Sequence, residues 1–513
     1  MSEFLTTTEL NQLRSAAQAY PWPVPTQVIS NGEFTPAPQN VCQRKVEGRI
    51  KQLCDALSAR HGLDRRSFLA SAAGMATAFI AMNEVYGALF AVDPAEASEP
   101  GVAATRAKSL SSQSIIDLHT HFLRDDSGPG LSYFAELREK TREKHENPQL
   151  PDRPATLADL HLGTYVREMW FDSDTKMVAL SGAPSDLGWD WLLPNQSIAD
   201  TRDSINQFAG SRRVLSHFIF TPGQPGWLEQ IDRGIEQLHP DAWKGYTIGD
   251  NTHKDLSRYP WRMDDEQVAY RGYEKFLRSG IRNVAIHKGL YTRSDEQRYP
   301  RLKEFAKVDD VGRAARDWPQ LNFIIYHAAY RYTGEGEPAV ALAEFERTGR
   351  MEWVSDLAEI PQRFGVSNVY ADIGASFAAC CVSEPHTAAA MLGILIRGLG
   401  PDHVIWGTDS IWFGSPQWQI EALRRLEIPE PMQRRHGFAP LGLADGPTKT
   451  AIFGMNAARL QQLPVTARWQ CNDLLEQHRL AYRAQGHARS NRAYGYIRAG
   501  RLARAGQDTA LGV

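Results

Sequence analysis

From Ser114 onward, short apolar runs rich in β-branched and aromatic residues alternate with stretches of helical periodicity. The first run begins at Ser114-Ile115-Ile116. It is followed by Lys176–Ser181, Arg213–Phe220, Ala242–Ile248, Asn283–His287, Asn322–His327, Asn368–Ile373 and His403–Gly407. Between them lie helical patterns such as Asp265–Ser279 and Val308–Asp317, the latter stopped by Trp318-Pro319. Strand, helix, strand in strict alternation is the pattern of a parallel sheet. Eight strands about 30–60 residues apart predict an α/β protein built as a (β/α)8 TIM barrel with loop insertions. A doubly wound open sheet is the runner-up, and it lacks the Gly-rich phosphate turn expected after its first strand.

In such barrels the chemistry gathers at the carboxyl ends of the strands. The first strand runs into Asp117-Leu-His-Thr-His121. Side chains two residues apart on a strand share a face, so Asp117, His119 and His121 are expected to point the same way. Two imidazoles there can reach one divalent cation, which needs Zn–N contacts of about 2.0–2.1 Å. The bland reading is a pair of packed or solvated histidines. The other strand ends decide against it: His287 closes the fifth run, His327 the sixth, and Asp409 follows the eighth in Gly407-Thr-Asp-Ser410. The rim residues Trp243, Tyr246 and Trp412 suggest walls for a flat or apolar substrate, although aromatics there also serve as packing.

The order Asp117-Leu-His-Thr-His121, Ala285-Ile-His-Lys-Gly289, Ile325-Tyr-His327, Trp406-Gly-Thr-Asp409 resembles the amidohydrolase superfamily. Within it, the chain is most similar to the amidohydrolase-related group that includes aminocarboxymuconate-semialdehyde decarboxylase. Ala451-Ile-Phe-Gly-Met-Asn-Ala-Ala-Arg459 resembles that group's last barrel helix, and the match spans roughly residues 112–462. The resemblance implies one divalent metal, zinc by preference over manganese or iron, on His119, His121, His287 and Asp409. It implies that His327 stands beside the metal as an acid/base group, with Asp409 the other candidate. Lys244 falls on the fourth strand, where binuclear relatives carry a bridging lysine. Its register argues instead for a salt bridge or a substrate contact. Asp117 either orients an imidazole from behind or caps the strand end.

Three functions follow as expectations. The first is hydrolysis of an amide, lactone or ester C–N or C–O bond by metal-activated water. The second is non-oxidative decarboxylation of an aromatic or unsaturated carboxylic acid at the same metal. The third is a barrel without turnover that serves as a binding or assembly module; the intact ligand set counts against it.

The flanks divide the 513 residues into an extension over 1–110, the barrel over 111–465 and a second extension over 466–513. The leader has loop signals at Pro21–Pro25 and one helical stretch near Val46–Ala59. Asp64-Arg-Arg-Ser-Phe-Leu-Ala70, an uncharged segment to Asn83 and Ala95-Glu-Ala97 together resemble a twin-arginine signal, with Arg65-Arg66 as its core. Its long n-region, Asp64 and Ala70 depart from the usual pattern. Export to the periplasm is the expectation, and a cytoplasmic protein that keeps its leader is the alternative. The tail from His478 carries seven arginines with interleaved tyrosines. Such a tail can bind RNA or an acidic surface, but a net charge of −3 favours an extension wrapped over the barrel or a second subunit. The expected partner is a small-molecule substrate, with no nucleic acid and no stable membrane insertion; a homodimer is compatible. Mean hydropathy is −0.42, and the five cysteines contain no C-x-x-C.

Overall fold

The computed structural model describes residues 13–15, 22–31, 33–34, 38–125, 160–331, 337–485 and 496–498. Eight parallel strands follow one another in chain order: β1 (Ile116–Thr120), β2 (Met177–Ser181), β3 (Val214–Ile219), β4 (Ala242–Tyr246), β5 (Asn283–His287), β6 (Asn322–Tyr326), β7 (Val369–Asp372) and β8 (Val404–Ile405). Each pairs with its neighbour in sequence. The circle closes through the backbone, where Leu118 N–H donates to Trp406 O at 3.1 Å and Thr120 bridges Ser410 in parallel. The predicted TIM barrel is therefore present.

Strand alternation sorts the apolar residues into two cores. Ile116, Leu118, Met177, Ala179, Leu215, Ala285 and Ile324 fill the barrel together with Ala457 and Leu460 of the closing helix. Val178, Leu180, Val214, Phe218, Val284, Ile286, Phe323 and Ile325 belong to the layer beneath the helices. The last strand is shorter than its apolar run because the chain leaves the sheet at Trp406. Beyond it, Asp409 adopts φ 56°, a left-handed conformation that a strand cannot contain.

The leader joins this core. Helix α1 (Val41–Leu57) is started by Asn40 and Gln43, each side chain capping the other's backbone N–H, and buries Val46, Ile50 and Cys54 at helical spacing. It begins five residues before the expected stretch, because the capping box and not the first apolar residue sets the start. Arg65 and Arg66 open a short helix whose N-cap is Asp64. The uncharged segment forms α2 (Ala72–Tyr86), and Phe79 and Met82 on it are fully buried in the main core. Buried Arg425 clasps Glu96 at 2.6 Å and lies over the Phe79 ring. Ala91 N–H and Glu427 N–H exchange backbone bonds across the same seam.

In the tail, α3 (Leu474–Ala484) returns to the barrel. Arg479 reaches Asp174 at 3.2 Å, and Arg483 donates to Phe171 O. Leu13–Ser15 pairs antiparallel with Tyr496–Arg498. The remaining tail arginines lie outside the described side chains. No helix among the described residues is long and apolar enough to cross a membrane.

Candidate metal centre

The barrel's closing seam builds half of the site. Asp409 N–H donates to His119 O at 2.9 Å, and His121 N–H donates to Ser410 O at 2.7 Å. These bonds hold His119, His121 and Asp409 side by side. Asp117 fastens the seam from beneath: its carboxylate accepts from His119 N–H and Thr408 N–H, both at 3.1 Å, and from Thr408 Oγ1 at 2.5 Å. The pairing register slips between Asp117 and Thr120. Strict alternation therefore fails, and Asp117 is absent from the cleft lining. It fixes the backbone that carries the histidines and orients no imidazole. Burial pushes its carboxyl up to about 7 against those hydrogen bonds.

Hydrogen bonds behind the rings set the tautomers. His119 Nδ1 lies 2.8 Å from Asp372 Oδ1, and His121 Nδ1 lies 2.8 Å from Ser181 O. Each Nδ1 is thus the donor, and each Nε2 keeps its lone pair. Those two Nε2 atoms stand 3.3 and 3.5 Å from Asp409 Oδ1. Donors sharing one cation at about 2.1 Å in a tetrahedron are separated by about 3.4 Å. His287, at the end of β5, stacks on Tyr246 with ring centroids 4.8 Å apart. Its buried Nε2 has no hydrogen-bond partner among the described residues. Burial, followed by the neighbouring positive groups, pushes His119 well down and holds His121 at about 3. Burial also lowers His287. Neutral imidazoles with free Nε2 atoms, one of them orphaned, beside a carboxylate oxygen fit a divalent cation.

His327 differs. Its Nδ1 accepts the Ala375 N–H at 3.1 Å, so its neutral ring carries the proton on Nε2. Burial and the nearby His287 push it well below the usual histidine range. Its ring lies 4.7 Å from that of His119 and 4.8 Å from that of His287. A neutral ring arranged this way presents an N–H toward the cleft. It sits at φ 58°, among several left-handed residues that end β6. Two glycines permit the crowding. A Cβ on Gly374 would lie 2.7 Å from His327 Nδ1, and one on Gly407 would lie 1.8 Å from Asp372 Oδ2.

His119, His121, His287, His327, Asp409, Tyr246 and Trp412 all line one cleft of about 460 Å³ that opens to solvent. Trp412 stacks on His121 at 6.1 Å. Trp243 does not reach it. It points outward under the helices and stacks on Phe276 at 4.7 Å, because alternation puts it opposite Lys244 and Tyr246. Lys244 faces inward below the cleft, with Nζ 3.2 Å from the Tyr326 ring centroid and, among the described residues, neither a hydrogen-bond partner nor a salt bridge. It is absent from the cleft lining, and burial drives its ammonium far down.

Four polar residues of the site were not anticipated. Asp372 ends β7, where the strand-end rule that found the histidines applies equally. Asn31, Glu33 and Asn251 come from irregular segments without a sequence signal. Asn31 Nδ2 donates to Asp409 Oδ2 at 2.9 Å and to Glu33 Oε1 at 2.8 Å. Asn251 Nδ2 donates to Glu33 Oε2 at 2.9 Å, and that oxygen is 3.4 Å from His287 Nε2. Glu33 is held far below the ordinary carboxylate range: burial raises it, but His287 and Asn251 more than offset that. Asp409 is pushed up by burial and by the Glu33 charge.

Among solved structures, the chain is similar to 5-carboxyvanillate decarboxylase from Sphingomonas paucimobilis, at 16% identity and TM-score 0.38, over 68% of this chain and 99% of that one. It is also similar to 2,6-dihydroxybenzoate decarboxylase from Rhizobium, at 16% identity and TM-score 0.37, over 69% and 100%. An uncharacterized TIM-barrel protein from Bordetella bronchiseptica matches at 15% identity and TM-score 0.41, over 68% and 99%. No family profile and no curated protein sequence matches the chain.

Proposed function

We propose that this chain is a metal-dependent enzyme acting on a small carbonyl or carboxylate substrate, with hydrolysis of an amide, lactone or ester as the first reading. The observation that carries it is the convergence of the His119 and His121 Nε2 atoms on Asp409 Oδ1, with both Nδ1 atoms already committed behind them. His119, His121, His287 and Asp409 would hold the cation. When bound, a divalent ion at such a site polarises a carbonyl and lowers the pKa of water. The protein's own residues do the rest. Tyr246 and Trp412 flank the cleft and orient a flat substrate. Asp409 takes a proton from the attacking water and passes it to the leaving group, while the Nε2–H of His327 hydrogen-bonds to the carbonyl oxygen as it gains charge.

Decarboxylation is the second reading, because the same donor set and the Nε2–H of His327 suit a bound carboxylate as well as a carbonyl. Loss of carbon dioxide then needs one proton delivered to carbon, which Asp409 relays from solvent. The test is turnover by the zinc- or manganese-loaded protein on lactones, esters and amides beside hydroxylated aromatic acids. Carbon dioxide release with solvent deuterium incorporated at the vacated carbon establishes the lyase. Water-dependent acid release establishes the hydrolase. No turnover on either panel by a metal-loaded, folded protein sinks both.

A further inference from the structure

We infer that Glu33, delivered by the N-terminal strap, is a further protein donor to the same cation, so that the leader is part of the metal centre. This rests on the metal reading above and extends it by a residue 84 positions before the barrel's first ligand motif at Asp117.

The strap is anchored before it reaches the site. Val24 and Ile29 are fully buried in the main core, and Val28 and Phe34 pack on Ala379. Thr26 donates to Glu47 on α1. Between these anchors, Asn31 and Glu33 turn inward, and the Glu33 N–H folds back onto Asn31 Oδ1 at 3.0 Å. The Glu33 side chain is only 13% exposed and lines the same cleft as Asp409. A buried carboxylate beside buried Asp409 repels it, and that arrangement is unfavourable without a cation between them.

The geometry is that of a donor. Glu33 Oε2 stands 3.4 Å from His287 Nε2, outside hydrogen-bond geometry, and among the described residues that nitrogen has no other partner. The spacing equals those between Asp409 Oδ1 and the first two histidines to within about 0.1 Å. Ligand atoms of Glu33, His287 and His327 all lie within 4.8 Å of one another, as do those of His119, His327 and Asp409. All of these residues line one cleft, and His121 joins them through its 3.5 Å approach to Asp409 Oδ1. With His327 set aside, the candidate donors are three imidazoles and two carboxylates, whose charges sum to zero with a dication. Asn31 ties the two carboxylates together by donating to both.

The experiment is zinc affinity of the full-length protein, read by competition with a chromophoric chelator, for wild type, Glu33→Gln and His119→Ala. The isosteric amide keeps the shape and removes the charged donor. The expected result is one zinc per chain in Glu33→Gln, bound about 10-fold or more weakly, and a larger loss in His119→Ala. Metal-free Glu33→Gln should melt at or above metal-free wild type, because the amide removes the repulsion with Asp409. Glu33→Gln at wild-type affinity, with His119→Ala impaired, overturns the inference and leaves the metal site standing. Wild-type affinity in both variants overturns the two together. A metal-free Glu33→Gln protein that melts far below wild type makes Glu33 a packing residue and also overturns it.

Discussion

Asn31 and Asp409 lie 378 residues apart in sequence, yet the Asn31 amide donates to Asp409 Oδ2 at 2.9 Å. This leaves Asp409 Oδ1 to face His119 and His121, so the leader decides which oxygen of the carboxylate points at the histidines. Asn31→Ala strips the donor from a buried carboxylate. A buried acceptor left unsatisfied costs about 1–3 kcal/mol, and the metal-free variant is expected to lose stability in that range by urea unfolding. An unchanged midpoint would show that water replaces the amide and that the strap fixes nothing.

The division of labour among the histidines predicts a split phenotype. His119 and His121 present unprotonated Nε2 atoms, whereas His327 presents N–H. His327→Gln should retain one metal per chain and lose about 10²–10³-fold in kcat, the usual worth of one positioned hydrogen-bond donor to a developing oxyanion. His119→Ala should lose the metal itself. Elemental analysis beside steady-state kinetics checks both, and metal loss in His327→Gln would make that ring a ligand.

The barrel and most of its rim were legible in the sequence because both rest on local rules. Apolar runs gave the eight strands, and the strand-end rule gave His119, His121, His287, His327 and Asp409. The same rule, applied to Asn368–Ile373, would have yielded Asp372. Trp243 was misplaced for want of a register: with Tyr246 facing the cleft, its odd-numbered neighbour must face the helices. Glu33 and Asn31 carry no local signal at all. They belong to an irregular segment whose position depends on where Val24, Ile29 and Phe34 find apolar surface on a barrel that begins some 80 residues later.

His217, buried inside the barrel below the site, gives the fold a pH dependence of its own. Tyr326 OH donates to Leu118 O at 2.6 Å and accepts from His217 Nδ1 at 3.0 Å. Burial, then the nearby Lys244, holds this ring at about 3. An unfolded histidine titrates near 6.5. The unfolded chain therefore takes up the proton first, and the contribution is complete above about pH 6.5 and lost as pH falls toward 3. At pH 5.5 the loss from this one group is about 1.4 kcal/mol. His217→Gln, which cannot titrate, should show a smaller fall in urea midpoint between pH 7.5 and 5.5 than wild type. Equal falls would mean that His217 is protonated in the folded state too.

In a twin-arginine signal, Ala95-Glu-Ala97 would be the A-x-A-like cleavage site, and a cut after Ala97 can be tested against the same structure. It would remove α1, α2 and Glu33, and with them Glu96 and Phe79, two of the partners of Arg425. That guanidinium is 2% exposed and bound to Glu96 and Glu421. Losing Glu96 and the Phe79 ring beneath it leaves a charge half paired against a bared apolar face, and breaking a buried pair costs about 3–5 kcal/mol. Buried residues such as Phe68, Phe79 and Met82 would be lost from the main core as well. A chain beginning at Ser98 is therefore expected to aggregate or to be recovered without metal. Intact mass and N-terminal sequencing of natively isolated, metal-bound protein should find residues 31–33 present, whichever side of a membrane it comes from. A stable, metal-loaded species starting at Ser98 would refute both the strap and the leader's place in the core.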